Sequence, residues 1–162
     1  MAKKKSKTFI KVSKLTDPIL NGKMLAIDPS TGSASSMPGY ALYENAELVE
    51  SGIFEIDPRR RNYRFYDIAR ILREEFPPVD LLAIEYIPAV RYKGGVSQTT
   101  VMKLGKAVGA ILSAKEWPNI VEVPTASWKW HKPDNYEKTD EWDAITIGLC
   151  CINLAREAIE EE

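Results

Sequence analysis

The chain has 162 residues, 44% of them hydrophobic and 28% charged, with a formal net charge of -1. That length supports one compact domain with a real core and not two. The near-neutral total argues against a general polyanion binder, and no uninterrupted apolar run is long enough to span a bilayer. Charge is nonetheless uneven. Lys3, Lys4, Lys5, Lys7, Lys11 and Lys14 crowd the first stretch, and glutamates dominate from Glu157 onward. No apolar segment follows the first lysines, so no secretory signal is expected and a cytoplasmic location is. Cys150 and Cys151 are adjacent and unaccompanied, and His131 is the single histidine. They read as small apolar helix residues in a reducing compartment, with no Cys/His metal cluster.

Residues 1–23 are expected to form a basic, flexible arm, and residues 24–162 the folded domain. Met24-Leu25-Ala26-Ile27 is a short apolar run that stops at Asp28-Pro29, the signature of a buried strand. A Ser-, Thr- and Gly-rich loop follows up to Pro38. Alternation over 39–43 and 47–56, turning at Glu44-Asn45, predicts an antiparallel hairpin. Tyr66, Ile68, Ala69, Ile71 and Leu72 recur mostly at helical spacing within 59–76, and Pro77-Pro78 stops that helix. Leu81-Leu82-Ala83-Ile84 is a second buried strand, ending on Glu85. Residues 86–97, with Gly94-Gly95, read as a loop. A helix is expected from Val101 to Leu112, with Gly105 and Gly109 giving it a flat face. Residues 120–123 form a fifth strand closed by Pro124, 125–138 look irregular, and 140–160 form the last helix. The order β-β-β-α-β-α-β-α implies an α/β fold with a mixed five-stranded sheet and helices on both faces.

Two acids, Asp28 and Glu85, end apolar strands. A rigid backbone that reaches solvent is where sites in α/β sheets are built. An acid there also serves simply to begin a turn, and Asp28-Pro29 alone fits that reading. Asp140 and Asp143 lie three apart in the first turn of the last helix, on one face. They also suit the positive helix end, and Thr139 or Asp140 is the expected cap. However, Ile145, Ile147, Leu149, Ile152 and Leu154 make this helix largely buried, so its first turn must lie against the sheet. Carboxylates brought together there repel unless a cation neutralises them, and Mg²⁺ or Mn²⁺ prefers such all-oxygen sites. A paired-metal carboxylate site suits in-line phosphoryl transfer with no catalytic Ser, Cys or His.

The stretches Leu25-Ala26-Ile27-Asp28-Pro29 with Gly39-Tyr40, then Leu82-Ala83-Ile84-Glu85, then Leu104-Gly105-Lys106-Ala107-Val108-Gly109, and finally Asp140-Glu141-Trp142-Asp143-Ala144 run in that order over residues 24–154. In this they resemble the RuvC-type Holliday-junction resolvases of the RNase H-like nuclease superfamily. The resemblance implies a homodimeric endonuclease that cuts four-way DNA junctions, leaving 5′-phosphates. It implies Asp28, Glu85, Asp140 and Asp143 as ligands of two Mg²⁺ ions, with Mn²⁺ able to substitute. It also implies a dimer contact through the helix from Val101 to Leu112. Lys129 falls where the family has a lysine near the scissile phosphate, and Lys132 and Lys138 stand in by proximity for a second basic position. The DNA-contacting segment before the last helix is shorter than in the bacterial enzymes, as would suit a phage or mobile-element resolvase. The loop after Glu85 is longer and carries Arg91, Tyr92 and Lys93 as DNA contacts. Pro88 sits at the spacing of the family's aromatic wedge, which leaves Tyr86 or Tyr92 for that role, with core packing the alternative for Tyr86. Trp128 and Trp130 are read as cover for the sheet edge rather than stacking platforms. Two other functions stay open: an RNase H-like nuclease acting on flaps, other branched DNA or structured RNA, and a non-catalytic dimer that binds branched DNA.

Overall fold

The structure is a computed structural model that describes residues 12–29, 37–86 and 98–161. Five strands form one sheet in the order β3-β2-β1-β4-β5. They are β1 (Lys23–Asp28), β2 (Gly39–Glu44), β3 (Glu47–Ile53), β4 (Leu81–Tyr86) and β5 (Ile120–Pro124). The β1-β2 and β2-β3 pairs are antiparallel, whereas β1-β4 and β4-β5 are parallel. This is the mixed α/β sheet that the element order implies.

The central strands explain the layering. β1 and β4 are near-continuous apolar runs because both of their faces are covered. Met24 and Ala26 of β1 point into a core shared with Ile147, Cys151 and Ile152 of α5 (Asp140–Glu160). Leu25 and Ile27 point the other way, into a core shared with Ile68, Ile71 and Leu72 of α2 (Arg64–Glu74) and Ile111 of α3 (Gln98–Ser113). Full burial of each such aliphatic side chain contributes about 1.5–3 kcal/mol. Cys150 and Cys151 are both buried free thiols, and burial pushes the thiols up, Cys150 to about 12. β3 is the outer strand on its side, largely exposed, and carries Glu47 and Glu50 along its length, a charge pattern that discourages edge pairing. The β2-β3 turn places Asn45 and Ala46 at positive φ (51° and 64°), as a two-residue hairpin turn of matching twist requires.

Three expectations change. Residues 12–23, expected to belong to the arm, are part of the fold. A 3-10 turn (Val12–Lys14) leads into α1 (Thr16–Leu20), and Val12 and Ile19 are buried in the α5-side core with Leu15 and Leu20 packed against it. Those apolar residues sit at helical spacing, which the interleaved lysines conceal. Residues 1–11 lie outside the described residues. The helix expected over 59–76 is divided into a 3-10 turn (Pro58–Tyr63), broken at Arg60, and then α2. Asp57 caps that turn by accepting from Arg59 N, with Pro58 in the first turn, where its missing N–H costs nothing. The stretch read as irregular, 125–138, holds the single turn α4 (Thr125–Trp128) and a 3-10 turn (Lys129–His131).

Candidate functional site

The site follows from strand parity. Side chains alternate across a sheet, so Asp28 shares its face with Met24 and Ala26, and Glu85 shares its face with Leu81 and Ala83. Both therefore face α5. The register pairs Ile27 with Ile84, so the two acids stand abreast at the same sheet edge, about 4.8 Å apart between strands.

Gly39 brings the helix to them. It pairs with Asp28 across β1-β2, and it also points at α5. A Cβ at this position would lie 2.1 Å from the Asp140 carbonyl oxygen, so the absence of a side chain is what lets the first turn of α5 rest on the sheet. The turn is then fixed from several directions. Thr139 is the cap, its hydroxyl accepting from Trp142 N at 3.2 Å. Ser51 of β3 donates to Glu141 at 2.8 Å, and Tyr43 of β2 donates to the Ile145 carbonyl at 2.7 Å.

The result is that Asp28, Asp140 and Asp143 offer carboxylate oxygens that all lie within 4.8 Å of one another, with Asp28 buried and the other two half-buried. Unit charges about 4 Å apart repel by roughly 4 kcal/mol at the effective dielectric of a protein surface region. An all-oxygen donor set of this kind fits a hard divalent cation. Glu85 stands at the same edge, outside that trio. Its carboxylate accepts a 2.6 Å hydrogen bond from the Thr125 hydroxyl, where α4 begins directly after β5.

Sequence reasoning missed one residue in contact with the trio. The Tyr136 hydroxyl donates to Asp143. Burial, then the hydrogen bond to Asp143 and the negative field of Asp143, Asp28 and Asp140, raise the phenol well above its ordinary value, so it stays a donor. No periodicity marks Tyr136. Its only signal is an aromatic residue in the turn-rich run before an acidic helix start.

Lys132 is held beside this tyrosine, its ammonium 4.5 Å from the Tyr136 ring and 5.9 Å from the Trp128 ring. The segment carrying Lys132 is anchored to α5 through His131, whose Nδ1 lies 3.0 Å from the Asn153 amide nitrogen. Burial lowers the imidazole pKa and so favours the neutral ring. Lys129 and Lys138 are exposed, the former on the 3-10 turn and the latter just before the Thr139 cap. Tyr86 ends β4 and is 44% exposed, outside the core. Trp128 is buried in the α5-side core, as sheet cover, whereas Trp130 is 84% exposed. Arg91, Tyr92 and Lys93 lie outside the described residues. No helix among the described residues is long and apolar enough to cross a membrane.

Sheet order, the two helical layers and the placement of acids at one sheet edge define an RNase H-like fold of the RuvC kind. Among solved structures, the chain is similar to Thermus thermophilus RuvC in complex with a Holliday junction substrate, with a TM-score of 0.59 and 17% identity over 83% of this chain and 95% of that one. A second Thermus thermophilus RuvC structure matches with a TM-score of 0.55, again at 17% identity, over 83% of this chain and 96% of that one. No protein-family profile matches the chain, and no curated protein does.

Proposed function

We propose that this protein is a divalent-metal-dependent endonuclease that resolves four-way DNA junctions by phosphodiester hydrolysis. The observation that carries the reading is the convergence of Asp28, Asp140 and Asp143 at the sheet edge of a fold shared with a RuvC solved on a Holliday junction. Mg²⁺, with Mn²⁺ able to replace it and two ions per site, would supply an activated water and charge neutralisation at the leaving oxygen. Asp28, Asp140 and Asp143 would hold it, with Glu85 completing the set from the neighbouring strand.

The chain's other residues position and orient. Tyr136 holds one oxygen of Asp143, which leaves the other to face the cation. Thr125 does the same for Glu85. Lys132, braced on two aromatic rings, offers a cation to the phosphate beside the trio, and Lys129 and Lys138 add positive charge along the same segment. Tyr86, the last residue of β4, and Arg91, Tyr92 and Lys93, which follow it in sequence, would meet the DNA. The protein would act as a homodimer through α3, where Gly105 and Gly109 have open space in front of them and Met102 is 63% exposed.

Incubation with a labelled mobile four-way junction and Mg²⁺ tests the reading. Paired, symmetrically placed nicks with 5′-phosphate ends are expected. Asp28→Asn should bind the junction but cut at least about a thousandfold more slowly, a loss of about 4 kcal/mol of transition-state stabilisation. Cutting by the variant at the wild-type rate would end the reading. Flap DNA and RNA hairpins run in parallel, and preferential cleavage of either would move the substrate away from junctions.

A further inference from the structure

The acid-bearing edge of the sheet has a second feature that the trio does not use. Ile53 pairs with Gly39, and Gly39 pairs with Asp28, so β3 ends at the same edge as the acids, about two strand spacings or ~10 Å from β1. A few residues on, the chain forms the 3-10 turn Pro58-Arg59-Arg60-Arg61-Asn62-Tyr63 and then enters α2 at Arg64.

This basic segment has a fixed shape. The Asp57 carboxylate holds both the backbone N–H and the guanidinium of Arg59, the latter at 2.9 Å. Arg60 pairs at 3.0 Å with the buried Asp67 of α2, and its guanidinium lies 5.2 Å from the Tyr63 ring centre. Among the described residues, neither Arg61 nor Arg64 pairs with a carboxylate, and Arg64 rests over the Phe65 ring at 4.7 Å. Tyr63 lies between them and Tyr66 follows, and these tyrosines, three apart along the chain, are 60% and 59% exposed. A merely solvated charged face needs no exposed tyrosines, and among the described residues no acid neutralises these two guanidinium groups, which leaves them for an external anion. Arginines without acids of their own, interleaved with exposed tyrosines, match the sugar-phosphate backbone of a nucleic acid, which takes ion pairs from guanidinium groups and hydrogen bonds from phenol hydroxyls.

We propose that Arg61, Tyr63, Arg64 and Tyr66 form a second nucleic-acid contact that grips the backbone of a DNA arm running from the acid trio toward α2. The placement relative to the cut rests on the nuclease reading, whereas the binding does not.

The test uses the full chain carrying Asp28→Asn, without metal, and measures binding to a four-way junction and to a plain duplex across a salt series. Arg61→Gln with Arg64→Gln should reduce the slope of log affinity against log salt by about 2 and weaken binding at least about tenfold at low salt. Tyr63→Ala with Tyr66→Ala should weaken binding about fivefold with the slope unchanged, since neutral phenol contacts to sugar and phosphate oxygens release no counterions. Both pairs are on the surface, and unchanged thermal melting confirms that the variants are folded. Unchanged affinity and slope in the arginine variant would overturn the proposal. So would arginine-dependent sedimentation with phosphatidylserine vesicles in the absence of any effect on DNA. If wild-type protein fails to cut with Mg²⁺ while the arginine variant loses slope, the nuclease reading falls and this surface stands. Cutting with an unaltered slope gives the reverse.

Discussion

The two ends of the sheet both carry acids, and they use them differently. Where β4 begins, Asp80 accepts a 2.8 Å hydrogen bond from Lys23 N, stitching the starts of β1 and β4 together. Around it lies a concavity of about 360 Å³ lined by Asn21, Gly22, Lys23, Asn45 and Asp80. Where β1 and β4 end, three carboxylates are pressed into one space by a helix that sits on Gly39. This hollow lies at the end away from the acids that converge. A strand-end acid alone says little, because Asp80 does structural work from a comparable position. What separates the two ends is that several acids share a space, which costs electrostatic energy until a cation or proton enters.

That contrast can be broken by mutation, and the largest effect should come from Gly39→Ala. The new methyl collides with the Asp140 carbonyl, so the first turn of α5 must lift and carry Asp140 and Asp143 away from Asp28. Cleavage should fall by about 100-fold, as expected for catalytic groups misplaced by about 1 Å. The melting temperature should drop by several degrees, and a variant with wild-type rate and stability would show that the helix is not seated through this contact. Tyr136→Phe removes only the hydroxyl that holds Asp143. Metal affinity, read by calorimetric titration, should weaken by roughly 10- to 100-fold with the fold intact; undiminished affinity would mean that the phenol does not orient this ligand.

Asp67 represents a third use of an acid, as a buried counterion. The hydrogen bond from Arg60, then its charge, hold the carboxyl below its ordinary value. The unfolded chain therefore binds a proton more readily at this position than the folded one. The ion pair's stabilisation is present above about pH 4 and is lost as pH falls through the folded value. Asp67→Asn should lower the melting temperature by a few degrees at neutral pH, and the gap to wild type should close on acidification. A gap independent of pH would assign the effect to packing. The smallest change is expected from Asp80→Ala at the other end of the sheet, with cleavage unaltered and about 1 kcal/mol of stability lost with the strand-linking hydrogen bond. Impaired cleavage there would dissolve the distinction between the two ends.

The sheet was legible because its central strands are unbroken apolar runs that end abruptly on acids, and the last helix was legible from its cap and its dense apolar content. The Asp28, Asp140 and Asp143 grouping was also in reach, since a buried helix must bring its first turn onto the sheet. Other features leave no such trace. Val12, Leu15 and Ile19 join the core from among lysines whose charge dominates the composition of that stretch. The contact of Tyr136 with Asp143, and the bracing of Lys132 rather than Lys129 on aromatic rings, depend on how a short run of turns folds back. Spacing along the chain does not encode that path. The parity that points Asp28, Gly39 and Glu85 all at α5 was available in principle, but it becomes decisive only once strand order and register are known.

The seating of α5 on Gly39 also sets when the site can exist. Asp28 is made early in synthesis, whereas Asp140 and Asp143 belong to the last helix, whose outer side is in turn packed by α1 from the start of the chain. Before that helix has emerged and docked, β1 presents a single acid and no shared space. A chain in which α5 has not docked therefore lacks the shared carboxylate space. The acid trio thus belongs to the part of the fold that exists only once residues far apart in the chain have met.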